Sequence, residues 1–182
     1  MIYYWGPRLW YFLHIISYNY PNLPSIKEKE IYKNFFINIL PKLIPCEYCT
    51  KHYKKHIDTI NIDLYLHNRN SLVEWVLIAH NNVNSRHNKR TYILSECHYL
   101  YMNREINHNK LYSLLKYYSD WAKRARDPSV TNKLLKIIEY VVIFFPCSAC
   151  KKKLLLFFKN TNFNNIHQKI ITLCDLGMAC IP

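Results

Sequence analysis

Glycine is almost missing: the 182-residue chain has two, Gly6 and Gly177. A dinucleotide-binding G-x-G-x-x-G turn and a phosphate-cradling P-loop each need several glycines for close backbone approach, so neither exists here. Any bound nucleotide must be held by side chains. Strand-type alternation is weak throughout, whereas apolar residues recur at i, i+3 and i+4, which predicts an all-helical fold with few tight turns. The longest apolar run, "VVIFF" and its neighbours around residues 141–145, is far too short to span a bilayer. The opening "MIYYWGPRLW" lacks a basic stretch followed by an apolar one, and lacks an Arg/Ser-rich transit pattern. The expectation is a protein with no leader and no membrane anchor.

What the chain does have is apolar and basic. Half of it is apolar, 50%, enough to bury one good core or two small ones in tandem. Lys and Arg number 25 against 12 Asp and Glu, a formal charge of +13, and such an excess releases counterions on binding phosphates. The basic residues are spread over every segment, however, as on solvated faces, and the abundance of Lys, Asn, Ile and Tyr is that of AT-rich coding. Nucleic acid is therefore not the expected main partner. Seven cysteines, at 46, 49, 97, 147, 150, 174 and 180, are an odd number, which argues against a closed disulfide framework. Two C-x-x-C pairs among them argue for redox chemistry or metal binding.

Four helical segments are expected in the first half. The first runs from about Gly6 to Tyr20, with Trp10, His14 and Tyr18 on one face. "YPNLPS" ends it, because Pro21 and Pro24 disfavour helix. Ser25 begins the second, with apolar positions Ile26, Ile31, Phe35, Phe36, Ile39, Leu40 and Leu43, and the third carries "CEYCTKHYKKHI". Ser71 and Glu74 read as a capping box for the fourth, whose Leu72, Trp75, Val76, Ala79 and Val83 face the core. Beyond Arg90 a Tyr-rich stretch leads to helices expected around 110–123, 132–145, 150–158 and 166–173. "FFINILPKLIPCEYCTK" and "IIEYVVIFFPCSACKK" echo one another at an offset of 101 residues. Either the chain is a tandem of related bundles, or the echo is chance between common apolar helices.

Two stretches carry chemistry. Pro45-Cys46-Glu47-Tyr48-Cys49 opens a helix, where unpaired backbone N–H groups and the dipole stabilise a thiolate, and Lys51, His52, Lys54 and Lys55 add positive potential. This suits a dithiol/disulfide pair whose sulfurs act in turn as nucleophile and leaving group. The other reading is half a zinc site completed by Cys147 and Cys150, but the 97 residues between the pairs far exceed zinc-ribbon spacing. The second stretch is "AHNNVNSRHNK", residues 79–89. On a helix, Asn81, Asn84 and Asn88 form one polar stripe, flanked by His80 and Lys89. Asparagine is a poor helix former, so the stripe implies a ligand: amides read purine edges, an imidazole stacks, and a lysine neutralises a diphosphate. A surface helix end made Asn-rich by codon bias is the alternative. His52, His56 and the scattered histidines read as surface or packing residues, and Cys97 as a lone thiol.

Taken in order, "WGPRLWYFLHIISYNYP", "PCEYC" and "EWVLIAHNNVN" resemble the Erv/ALR family of FAD-dependent sulfhydryl oxidases. The family pattern is W-G-x-x-x-W-x-x-x-H with a following Y/F-P, then P-C-x-x-C, then H-N-x-V-N-x-x-x-x-K, and the resemblance spans about residues 4–92. It implies a four-helix bundle that holds FAD with the C-x-x-C disulfide against the flavin ring. By this resemblance Trp5, Gly6, Trp10, His14 and Tyr18 line the flavin. His80, Asn81, Val83, Asn84, Asn88 and Lys89 grip the adenine, ribose and phosphates, with Tyr92 just beyond, while Trp75 is read as core. The implied reaction starts with a substrate dithiol attacking the Cys46–Cys49 disulfide at Cys46. Cys49, released nearest the flavin, hands on the electrons, and oxygen takes them to give hydrogen peroxide. A dithiol protein of thioredoxin-like type and oxygen are the implied partners, and a homodimer or an internal pseudo-dimer the implied assembly.

The chain departs from the family in three places. A Leu-Gly commonly precedes the lysine of the fourth-helix motif, and here His87-Asn88 stands there, which leaves open how the helix ends. A structural cysteine just after the fourth-helix tryptophan is missing from Trp75-Val76-Leu77. The shuttle pair of some members has candidates in Cys174 and Cys180, or in Cys147 and Cys150, each with an ordinary structural pair as the alternative. The expectation is thus an all-α protein. Residues 1–95 form an Erv/ALR-type FAD-binding four-helix bundle, and residues 96–182 a second helical region, which if the echo is a true repeat is a degenerate copy that either packs as an internal pseudo-dimer or enlarges a homodimer interface. Size and composition resemble the sulfhydryl oxidases of large DNA viruses, which implies host cytoplasm or virion as the location. Two rival readings stand beside it: a zinc-stabilised basic nucleic-acid-binding protein, and an FAD-holding scaffold without catalysis.

Overall fold

Every described element of the computed structural model is a helix, as the apolar spacing requires; the structure describes residues 2–102, 107–145, 148–159 and 163–175. The chain divides into two compact units, one of residues 13–105 and the other of residues 1–12 with 106–182. Helix α1 (Ile2–Tyr18) contributes its amino-terminal part to the second unit and its carboxy-terminal part to the first.

In the first unit, α2 (Ile26–Asn34) begins where Ser25 and Glu28 cap it reciprocally: Ser25 N donates to Glu28 Oε2 at 2.8 Å and Glu28 N to Ser25 Oγ at 3.3 Å. The helix passes through a π-helical turn (Phe35–Ile39) into α3 (Leu40–Leu43). Phe35, Phe36, Leu40 and Leu43 are buried, whereas Ile26 and Ile31, expected on the same apolar face, are exposed. α4 (Glu47–Thr59), a 3-10 turn (Ile62–Tyr65) and α5 (Arg69–Arg86) follow. The expected capping box of Ser71 and Glu74 is not the start of α5. Asn68 caps it, accepting from Ser71 N at 2.9 Å, and the helix begins nearly a full turn earlier because the amide of Asn68 reaches the third N–H as well as a serine would. Trp75 holds the centre: its ring meets Phe36 at 5.3 Å and His56 at 5.0 Å, and its Nε1 donates to the Ile60 carbonyl at 3.0 Å.

A short helix, α6 (Leu94–Tyr101), closes this unit. Cys97 is buried against Tyr18, Val73 and Leu77, so α6 packs onto the first unit. In the second unit, α7 (His108–Ala125) buries Leu111, Leu114, Leu115, Tyr118 and Ala122, and ends at Arg126 in the left-handed conformation, φ 51°. α8 (Pro128–Ile143) is capped by Asp127, which accepts from Ser129 N at 2.8 Å. α9 (Ser148–Phe158) and α10 (Phe163–Asp175) complete it. No helix of the described residues is long and apolar enough to cross a membrane.

Candidate active site

Pro45 stops one helix and Cys46 starts the next. Cys46 is the N-cap of α4, in extended conformation, and its Sγ accepts a hydrogen bond from Cys49 N at 3.2 Å. The two cysteines form a disulfide with their Cα atoms 5.2 Å apart. Both are half-buried, while Tyr48 between them is 65% exposed, so the pair lies within reach of another molecule. Lys51 is paired with Glu47 at 3.1 Å, and Lys54 and Lys55 are exposed. A charge on Cys46 after reduction would meet the N–H groups and positive end of α4, which stabilise a thiolate.

On the carboxy-terminal part of α1, His14 is buried and its Nε2 lies 2.9 Å from His80 Nδ1 of α5. Burial first, and then the His80 charge, hold the His14 imidazole neutral and push its pKa down to about 3. His80 is likewise pushed down to about 4, by burial and then by Lys89. Tyr101 stacks on His14 at 4.7 Å and on Tyr18 at 5.7 Å, and Tyr18 Oη lies 2.9 Å from His98 Nδ1. Cys97 Sγ is 3.7 Å from His14 Nδ1, and burial raises the Cys97 thiol. Together His14, Leu77, His80, Tyr92, Cys97, Leu100 and Tyr101 line a cavity of about 100 Å³.

The asparagine stripe is organised differently from the expectation. Asn81 binds the backbone of Tyr92 twice: its Nδ2 donates to the carbonyl at 2.8 Å and its Oδ1 accepts from the N–H at 3.0 Å. Asn84, buried, donates to the Arg90 carbonyl at 3.0 Å. Asn88 is outside the helix. It sits at φ 52°, with its N–H bonded to the Ser85 carbonyl at 3.2 Å and Lys89 N bonded to the Asn84 carbonyl at 2.9 Å. This is a Schellman end, in which the left-handed position takes glycine or asparagine. The single helical stripe of three amides is therefore corrected: two amides hold the 90–92 backbone and the third turns the chain. Val83 is half-buried and Lys89 exposed.

Of the residues singled out in the sequence, Cys46, Cys49, His14, Tyr18, His80, Asn81, Val83, Asn84, Asn88, Lys89 and Tyr92 share the first unit. Trp5, Gly6 and Trp10 belong to the second; Trp5 and Gly6 are buried and Trp10 is half-buried. Cys147 and Cys180 lie outside the described residues, while Cys150 and Cys174 fall within α9 and α10. The cavity residues Cys97 and Tyr101, and nearby His98, were missed. Their signal was there: Leu94, Cys97 and Tyr101 at i, i+3 and i+7, with Glu96 placed to accept from Ile93 N at 3.0 Å. His56, read as surface or packing, is buried on α4, and its Nδ1 lies 3.2 Å from Asn82 Nδ2. Among the described residues no three His, Cys, Asp or Glu side chains converge as metal ligands would.

A model of the Erv1/Alr family matches residues 7–104. The chain is 34% identical over 97 residues to the FAD-linked sulfhydryl oxidase of African swine fever virus, an alignment covering 53% of this chain and 79% of the viral one. It is 33% identical over 85 residues to protein 096R of Invertebrate iridescent virus 3, spanning 47% of this chain but only 57% of that relative's length. Among solved structures, the yeast Erv1 core is similar with a TM-score of 0.53 at 26% identity, over 57% of this chain and 85% of that one.

Proposed function

Because the chain belongs to the Erv1/Alr family, we propose that it is an FAD-linked sulfhydryl oxidase that makes disulfides in a partner protein. The observation that carries this reading is the Cys46–Cys49 disulfide at the head of α4, within the matched bundle. The chemistry of the neighbouring side chains fits a flavin. An apolar and aromatic wall of Leu77, Leu100, Tyr92 and Tyr101, with two neutral imidazoles, suits a flat ring that needs a few fixed hydrogen bonds. The cavity is about 100 Å³, so it is the chemistry of its lining, not its volume, that fits the flavin.

His14 and Tyr18 would hold the flavin ring, and His80 and Tyr92, which the family pattern gives to the nucleotide end, line the same cavity as His14. Asn81 and Asn84 fix the backbone that carries Tyr92, and Asn88 sets the turn that presents Lys89. In the reaction a substrate thiolate attacks Cys46 Sγ, the Cys46–Cys49 bond breaks, and Cys49 leaves as a thiolate. The second substrate thiol, deprotonated, attacks its own partner sulfur in the mixed disulfide, closing the substrate disulfide and releasing Cys46 as a thiolate. That charge is stabilised by the Cys49 N–H and the start of α4. FAD, when bound, supplies the two-electron relay from this dithiol to oxygen, with hydrogen peroxide as the second product.

A dithiol protein of thioredoxin-like type and oxygen are the proposed partners, with a second copy of the chain as the proposed assembly. The viral relatives support host cytoplasm or virion as the location. The test is to purify the protein, record its visible spectrum and follow oxygen uptake with dithiothreitol. Yellow protein that consumes oxygen, with uptake abolished in Cys49→Ala, is expected. Colourless protein carrying zinc and no activity refutes the reading, and yellow protein without activity in the wild type would make it a scaffold.

A further inference from the structure

The Nε2 atoms of His52 and His56 are buried and have no hydrogen-bond partner among the described residues. His56 as a residue is only 7% exposed, so its unmet nitrogen is not facing bulk water. A buried polar nitrogen left unpaired is destabilising, and native structures seldom keep one without a use for it. The two rings stand at i and i+4 on α4, on the side that faces α5. The helices run antiparallel there: Trp75 reaches Ile60 and Asn82 meets His56, which brings Arg86, one turn beyond Asn82, opposite His52. His87 and Lys55 stand beside the same spot, close enough with Arg86 that their charges, after burial, disfavour protonation of His52. The Arg86 charge likewise acts on His56, after burial, which together hold its pKa near 4.

Donors and positive charges thus converge, and the electrostatic causes acting on the two rings include no acidic side chain. We infer that His52, His56 and Arg86 form an anion-binding site on the α4–α5 face that takes a phosphate group. The imidazole Nε2–H groups and the guanidinium donate to its oxygens. The inference rests on the proposed flavoprotein reading only for the natural source of the phosphate, which there is the diphosphate of FAD.

The test is a nuclear magnetic resonance titration of the histidine rings with inorganic pyrophosphate, in wild type and in Arg86→Gln, whose exposed side chain can be changed without disturbing the core. Saturable shifts of the His52 and His56 resonances in wild type, with affinity at least about tenfold weaker in Arg86→Gln, are expected from the loss of one charge-assisted contact. A second arm repeats the titration with FAD and with riboflavin, which lacks the phosphates. Shifts of the same rings with FAD and not with riboflavin assign the site to the cofactor. Shifts with pyrophosphate in a protein that takes up no FAD keep the anion site and refute the oxidase reading. Rings that respond to neither pyrophosphate nor FAD, or respond equally in Arg86→Gln, overturn the inference even if the protein is a yellow, active oxidase.

Discussion

Asn88 lies at φ 52° at the end of α5, and that one angle explains a departure from the family pattern. Where relatives commonly place glycine ahead of the motif lysine, this chain uses the residue that best tolerates the left-handed region after glycine. Asn88→Gly should therefore be neutral or stabilising by a few tenths of a kcal/mol, whereas Asn88→Val should cost about 1–2 kcal/mol, read by urea denaturation. Asn81 makes two hydrogen bonds to the backbone of one residue, Tyr92. Asn81→Leu should cost about 1–3 kcal/mol and loosen the loop that carries Tyr92, so flavin retention through gel filtration should fall. Unchanged retention would show that the loop does not serve the cofactor. The sequence named these residues without showing their use: an amide's capacity to bind a ligand and to bind backbone look alike in one dimension, and the choice depends on where the chain turns next.

At the scale of elements, the head of α4 and the histidines between helices make separate claims. Cys46 caps α4 and receives the Cys49 N–H, so in the reduced protein its thiol should titrate below the ordinary cysteine range near 8.5. Iodoacetamide alkylation against pH should show a low-pKa thiol that disappears in Cys46→Ser; two thiols titrating as ordinary cysteines would contradict the capping argument. His14, His80 and His56 have folded pKa values held down to about 3, 4 and 4, against about 6.5 when unfolded. The unfolded chain thus takes up protons first as pH falls. Stability from these groups is fully present above about pH 6.5 and is lost as pH falls toward 4. For His14, the most buried, the contribution is roughly 2–4 kcal/mol. Urea denaturation of the flavin-free protein between pH 7.5 and 4 should show this decline, shallower in His14→Phe. α6 was the least legible element, because it is short and its turn carries aromatics and histidine in place of aliphatics.

For the whole molecule, the ordered motifs and apolar spacing were enough to expect an all-helical bundle with a redox disulfide at a helix start. The partition was harder to read. Contacts across long sequence separations decide it: α1 is one continuous helix whose two parts belong to different compact units, and α6 joins the first unit through Cys97. No local signal marks either fact. In the second unit α9 begins at Ser148, between the cysteines of the second C-x-x-C, much as α4 begins at Glu47 between those of the first. The charge of +13 is spread over every segment, and on α4 and α5 its meaning is local. The central claim is that electrons enter at Cys46–Cys49 and leave through a bound flavin. Its most direct measurement is anaerobic reduction of the purified protein by dithiothreitol, followed in the visible spectrum, for wild type and Cys49→Ala. The account expects the wild-type flavin to bleach and to recover on admitting oxygen, while Cys49→Ala keeps its flavin but stays oxidised; bleaching of Cys49→Ala as fast as wild type would contradict it.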